Sequence, residues 1–219
     1  MESVLEILID MQLPLIQTIY MVTLSTVFSI ILGLPLGVIL TITDKDHIME
    51  NKRINTVIGT IVNIFRSIPF IILIIALFPL SKLLIGTSIG INAAIVSLSI
   101  AAAPFVARVI EGSLKEVSFG LIEASLASGA TNTQIIFKVM LPEALPSLIL
   151  GITLTIINIL GYSAMAGAVG GEGIGDFAIC EGYLGFNNEL IFVVIIVLVI
   201  LVEIIQQSGN FLSRKFNKR

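Results

Sequence analysis

LIFVVIIVLVILVEIIQQ, residues 190–207, carries one charged side chain, Glu203, in an otherwise apolar run. As a helix it would reach about 27 Å, close to the roughly 30 Å hydrocarbon thickness of a bilayer. It therefore reads as a transmembrane helix, and the rest of the chain agrees. Hydrophobic residues make up 56% and charged residues 12%, against roughly 45–50% and about 25% in soluble domains. At a mean hydropathy of +1.07, a soluble fold would expose large apolar patches. Further spans are expected at residues 13–42, 57–78, 89–110 and 145–165, giving an all-α polytopic bundle of about five transmembrane helices. The first is long enough to tilt or to begin as an interfacial turn around Pro14. The second carries polar Asn55, Thr56, Thr60 and Asn63, so its true start could lie nearer Ser67, and Pro69 is expected to kink that span or to start it.

Basic residues orient the bundle. Lys45, Lys52 and Arg53 lie in the first loop, Arg108, Lys115 and Lys138 flank or occupy the third, and Arg214, Lys215, Lys218 and Arg219 end the chain. The opposite side has only Lys82. This predicts the N-terminus outside and the C-terminus inside the cell, with the spans surrounded by lipid. The third loop is then cytoplasmic, and the segment 167–189 is external. No cleavable signal peptide is expected, because Glu2, Glu6 and Asp10 stand where a basic region would be. No tract of like charge suggests nucleic acid. With one cysteine, Cys180, the chain has neither an intrachain disulfide nor a cysteine-rich metal site.

The cytoplasmic loop holds the most informative stretch, SFGLIEASLASGATNTQIIFKVMLP at 118–142. Ser118 suits an N-cap and Gly129 a left-handed C-terminal cap. Thr131 with Gln134 makes a capping box for a second short helix, Lys138 falls in its last turn, and Pro142 suits the first turn of the next span. Glu123, Ala124, Ala127 and Ser128 form a face of small residues around one acid. Leu121, Ile122 and Leu126 are expected to pack back onto the membrane helices. By itself this is either a partner-docking face or a solvated connector.

Glu123-Ala124-Ser125, then Gly129, then Leu141-Pro142 resembles the EAA coupling loop of ABC-importer permeases, with Ser125 in place of the usual third alanine. The likeness continues through Phe65-Arg66-Ser67-Ile68-Pro69-Phe70, Ala101-Ala102-Ala103-Pro104-Phe105, Leu141-Pro142-Glu143-Ala144-Leu145-Pro146 and Gly161-Tyr162-Ser163-Ala164-Met165-Ala166-Gly167. These stretches are similar to the methionine-import permeases. The resemblance implies a type I ABC importer permease fold in the cytoplasmic (inner) membrane of a prokaryote, with residues 13–207 as transmembrane domain, a coupling loop at about 112–142 and a cytoplasmic basic tail at 208–219. It also implies a homodimer, two copies of an ABC ATPase subunit that hold ATP and Mg, an extracytoplasmic substrate-binding protein or lipoprotein, and methionine as cargo. Coupling would fall to Glu123, Ala124, Ser125, Gly129, Leu141 and Pro142.

Other residues keep two readings. Ser67, Pro69, Tyr162, Ser163 and Met165 are candidates for the pathway or its gate, or else ordinary helix packing. The glycine-rich run at 167–175 has no preceding strand and is no dinucleotide turn. It reads as re-entrant or mobile gate backbone, or as a plain loop, and related permeases usually have Gly where Glu172 stands. Glu172, Asp176 and Glu181 make that side acidic, a candidate docking face for the binding protein. Arg66 either pairs with Glu203 inside the membrane or marks the start of a shorter second span. His47 sits with Asp44, Asp46 and Glu50, as a solvated loop far more readily than as a metal site.

The chain lacks a Walker-type P-loop, so ATP hydrolysis belongs to another chain and this one is not an enzyme. It also has no cofactor or metal motif of its own. An intramembrane enzyme would need paired catalytic groups that the spans lack, and a passive channel would need no coupling loop. A permease for another amino acid or small organic solute remains the main alternative.

Overall fold

Every regular element among the described residues is helical, as lipid demands of backbone groups that cannot bond to water. The structure, a computed structural model, describes residues 4–217. Glu2, Lys218 and Arg219 lie outside the described residues. Helix α1 (Val4–Asp10) runs through Met11 into α2 (Gln12–Ile42), and the Leu15 N–H donates to the Met11 carbonyl across the join. Next come α3 (Lys52–Ser67), α4 (Phe70–Ile85) and α5 (Ile91–Lys115). The short α6 (Phe119–Ala127), α7 (Asn132–Ile135) and α8 (Leu141–Glu143) precede α9 (Leu145–Ala166). Then α10 (Ile174–Phe177) and α11 (Asn188–Phe216) follow, with π-helical turns at Ile136–Met140 and Ala178–Leu184 and a kink within Gly167–Gly171, where Val169 and Gly170 leave the helical conformation. Helices α2, α5, α9 and α11 are each long and apolar enough to cross a bilayer, and α3 with α4 makes a fifth span if the bent pair counts as one.

Within the span expected at 57–78 the chain forms two helices, and the second begins just beyond Ser67. Ile68 and Pro69 are extended, and α3 and α4 meet at 109°. Proline disfavours the helical conformation in the residue before it and has no N–H to donate, and here Ile68 takes the extended alternative, so the helix ends at Ser67. Two of the polar residues that blurred this span, Asn55 and Asn63, have partners. Asn55 Nδ2 donates to the Leu40 carbonyl at 2.7 Å, and Asn63 Oδ1 accepts from Arg108 at 2.8 Å. The last span is also longer than expected. Residues 208–216 of the expected basic tail continue α11 as helix, with Gly209 packed on Thr153 and the Ser213 hydroxyl donating to the Pro146 carbonyl at 2.9 Å.

The most buried span is α5, with α2, α4 and α9 packed around it, while α11 keeps an apolar outer face. Helices α2 and α5 touch backbone to backbone because Gly33 and Gly37 face it. A Cβ at Gly33 would stand 2.8 Å from the Ala103 carbonyl oxygen, and one at Gly37 2.6 Å from that of Ala107. Such small-residue pairs four apart hold helices together in lipid, where hydrophobic burial adds little.

Candidate functional site

The EAA-like loop at 118–142 is a folded unit. Helix α6 ends in a paired cap: Gly129 N–H donates to the Leu126 carbonyl at 2.9 Å, and Ala130 N–H to that of Ser125 at 3.1 Å. The motif requires a left-handed residue at its apex, and Gly129 has φ 81°. The Thr131–Gln134 capping box is complete in both directions. Ser118 occupies the N-cap position of α6 without a side-chain bond there. Pro142 lies in α8, one turn before α9 and not within its first turn; α9 opens instead at Leu145-Pro146.

Only one side chain of α6 anchors it. Ile122 is 1% exposed and enters a cluster with Ile110, Leu114, Ile135, Met140 and Leu148. Leu121 and Leu126, expected to pack inward with it, are 40% and 44% exposed. A helix this short buries a single row, and Ile122 fills it. Glu123, Ala124 and Gly129 are exposed, Ser125 and Leu141 half-buried, and Pro142 exposed. The Ser125 hydroxyl donates to the Leu121 carbonyl at 2.7 Å, so serine serves the alanine position without an unpaired polar group. Between the loop and the end of α11 lies a groove of about 600 Å³, lined by Leu121, Ser125, Lys138, Pro142 and Phe216 among others.

Beside this loop stands an ion network that sequence reasoning missed. Glu111, 7% exposed, accepts from Arg108 at 2.6 Å and from Lys115 at 2.8 Å. Lys115 also meets Asp44 at 2.6 Å, and Arg108 reaches Asn63 and the Gly59 carbonyl on α3. The hydrogen bond from Lys115 holds the Asp44 carboxyl below the usual carboxylate range. The spacing of Arg108, Glu111 and Lys115, three and four apart, was the available signal. The Arg66–Glu203 pair does not form: both residues are exposed, and Glu203 accepts from Gln207 instead. Arg66 lies in the last turn of α3, next to the break that starts the shorter membrane-crossing piece. His47 is half-buried in its loop, and its Nδ1 accepts from the Ile48 N–H at 3.0 Å.

Of the pathway candidates, several meet at the α3–α4 break. Ser67 is exposed and donates to the Asn63 carbonyl, Pro69 is the N-cap of α4, and Phe70 stacks on Tyr162. Met165 is 44% exposed. Ser163 is a correction: it is 2% exposed, and its hydroxyl donates to the Leu160 carbonyl at 2.7 Å, so it packs inside the helix bundle.

At the opposite end, residues 167–177 fold back onto α2, α5 and α9. The Gly90 N–H donates to the Gly170 carbonyl at 2.8 Å, the Ile174 N–H to Thr18 Oγ1 at 2.8 Å, and Gln17 Nε2 to Glu172 Oε2 at 2.9 Å. Glu172, Asp176 and Glu181 line one small groove with Pro14, Gln17 and Cys180. The Cys180 thiol donates to Asp176 Oδ1 at 3.3 Å, and that bond, with the carboxylate's charge, pushes the thiol pKa up.

Comparison with known proteins agrees with this arrangement. The model of a family described as "binding-protein-dependent transport system inner membrane component" matches residues 33–219. The "Probable D-methionine transport system permease protein MetI" of Vibrio cholerae is 48% identical over 203 residues, covering 93% of this chain and 90% of that protein. The methionine import system permease protein MetP of Bacillus subtilis is 47% identical over 181 residues, covering 83% of this chain and 82% of that protein. Among solved structures, the MetNI methionine ABC transporter in an inward-facing conformation matches with a TM-score of 0.91 at 47% identity, covering 92% of this chain and 94% of that one.

Proposed function

This chain belongs to the binding-protein-dependent transport system inner membrane components, and on that premise we propose that it is the permease of an ATP-driven methionine importer. Two copies would form the pathway, two ATPase subunits would carry ATP and Mg on the cytoplasmic side, and a binding protein would deliver methionine outside. The match to an inward-facing transporter supports reading the present conformation as closed to the outside.

The observation that carries the coupling role is the way α6 is mounted. Its Ile122 sits among side chains from α5, α7, α9 and the π-helical turn before α8, while Glu123, Ala124 and Gly129 face outward. A close-packed interior transmits displacement, so a push on α6 reaches α5 and α9 together. Ser125, Leu141 and Pro142 border the same surface. The two spans would then move as one body, exchanging inward and outward access. The break around Ser67 and Pro69, with Tyr162 stacked on Phe70, is the best-supported lining of the pathway, and Met165 is a further exposed candidate on α9. Asp176 and Glu181, with Glu172 turned toward Gln17, form the acidic face offered to the binding protein.

The test is coexpression with the ATPase, purification and reconstitution. The complex is expected to copurify and to take up labelled methionine in competition with unlabelled methionine. Glu123→Arg or Gly129→Val is expected to leave ATP hydrolysis running without uptake. Fully coupled transport in both variants would sink the coupling assignment, and uptake of another solute uncompeted by methionine would sink the substrate.

A further inference from the structure

The folded-back segment is held on two sides by bonds of different kinds. Gly90 to Gly170 is backbone to backbone, and the Ile174 N–H bond to Thr18 is buried. The Gln17–Glu172 bond is side chain to side chain, exposed and charge-assisted. It is also made under strain. Glu172 has φ 60° and ψ −167°, a conformation open in practice only to glycine. Gly173 beside it adopts nearly the same angles, φ 83° and ψ −167°. Backbone geometry alone therefore calls for glycine at both positions. What Glu172 adds is a carboxylate that reaches across to α2.

We propose that Gln17 and Glu172 form an external latch, which clasps the folded-back segment to α2 while the pathway is closed on this side and parts when it opens outward. The proposal rests on the permease reading above. Strain at Glu172 favours release, and the hydrogen bond opposes it, so the pair is poised between two states. The two bonds nearest it have no such balance, since neither Gly170 nor Ile174 contributes a charged group. Glu172 is thus a positioning residue that acts through the segment it holds.

The test uses the permease–ATPase complex in proteoliposomes, without binding protein. Gln17→Glu sets two carboxylates against each other, and loosening the latch should raise ATP hydrolysis about threefold or more by shifting the outward-open population. Gln17→Glu combined with Glu172→Gln restores an amide–carboxylate pair with the roles exchanged, and hydrolysis should return toward the wild-type rate. Glu172→Gly relieves the backbone and deletes the carboxylate. With the strain and the bond removed together, it should melt no lower than wild type and hydrolyse ATP more slowly than Gln17→Glu. Wild-type hydrolysis in Gln17→Glu, or no rescue in the swap, would overturn the latch, as would a Glu172→Gly variant that melts lower than wild type or hydrolyses as fast as Gln17→Glu. Loss of methionine uptake in the wild-type complex would strike the substrate reading instead, because the latch is read from hydrolysis.

Discussion

The rings of Phe70 and Tyr162 lie face to face, with centroids 3.6 Å apart and planes 12° from parallel. Phe70 is the first residue of α4 after the break, and Tyr162 stands near the far end of α9. The stack therefore ties the bent span to the helix that follows the coupling loop. Tyr162→Ala should lose about 1 kcal/mol of aromatic pairing beyond the area it uncovers. Thermal unfolding should show the loss, and methionine uptake should fall while ATPase copurification persists. Tyr162→Phe keeps the ring and should behave like wild type. Equal defects in both variants would point to the hydroxyl and away from the stack.

Glu111 is the shared acceptor of Arg108 and Lys115. Its removal leaves Lys115 with Asp44 and Arg108 with two neutral acceptors on α3. Breaking a fully buried pair costs about 3–5 kcal/mol. Water reaches both cations here, so Glu111→Ala should cost roughly half of that. Denaturation of the solubilised protein measures the loss, and a Glu111→Ala variant as stable as wild type would mean the network is ornamental.

His47 supplies a pH dependence. Desolvation lowers its pKa, with Lys115 acting in the same direction and Asp44 against it, and its Nδ1 must be unprotonated to accept from Ile48. A depressed histidine pKa means that the unfolded chain takes the proton first, so this contribution is present above 6.5 and lost as pH falls below it. Asparagine can accept the same bond without titrating. The melting-temperature advantage of wild type over His47→Asn should therefore shrink between about pH 7.5 and pH 5.5. An advantage that grows on acidification would contradict the sign.

Much of this was readable from residues that act locally. Gly129 and the Thr131–Gln134 box declared their turns, because caps depend on neighbours in the chain. Pro69 announced a break, although not its 109° angle, which depends on where α3 finds partners for Asn55 and Asn63. Contacts between distant elements were harder. Gly33 and Gly37 carried the spacing of a close helix crossing, but nothing in the chain names Ala103 and Ala107 as the surface they meet. Ser163 misled for the same reason: a small polar residue beside a motif looks accessible until its helix is rotated into place. The Glu172 backbone was legible only through the resemblance, where glycine is the usual residue.

Ile122 and Gly129 separate the two ways in which the coupling loop could fail. Ile122 anchors α6, and truncating a buried isoleucine costs about 2–5 kcal/mol. Ile122→Ala should free the helix from its cluster, so the ATPase still binds but its movement no longer reaches α5 and α9. Gly129 is different, since a Cβ there would meet nothing within 4 Å. Its φ of 81° makes alanine cost about 1 kcal/mol through the backbone alone. Gly129→Ala should therefore disturb the turn, and with it the outward face of α6, while leaving the Ile122 contact in place. Asparagine tolerates left-handed backbone, so Gly129→Asn should keep more activity than Gly129→Ala. Pulldown of the ATPase, combined with methionine carried per ATP hydrolysed, tells these apart. Ile122→Ala should retain binding and lose coupling, whereas Gly129→Ala should weaken both. A coupling ratio unchanged in Ile122→Ala would show that force enters the membrane helices by another route.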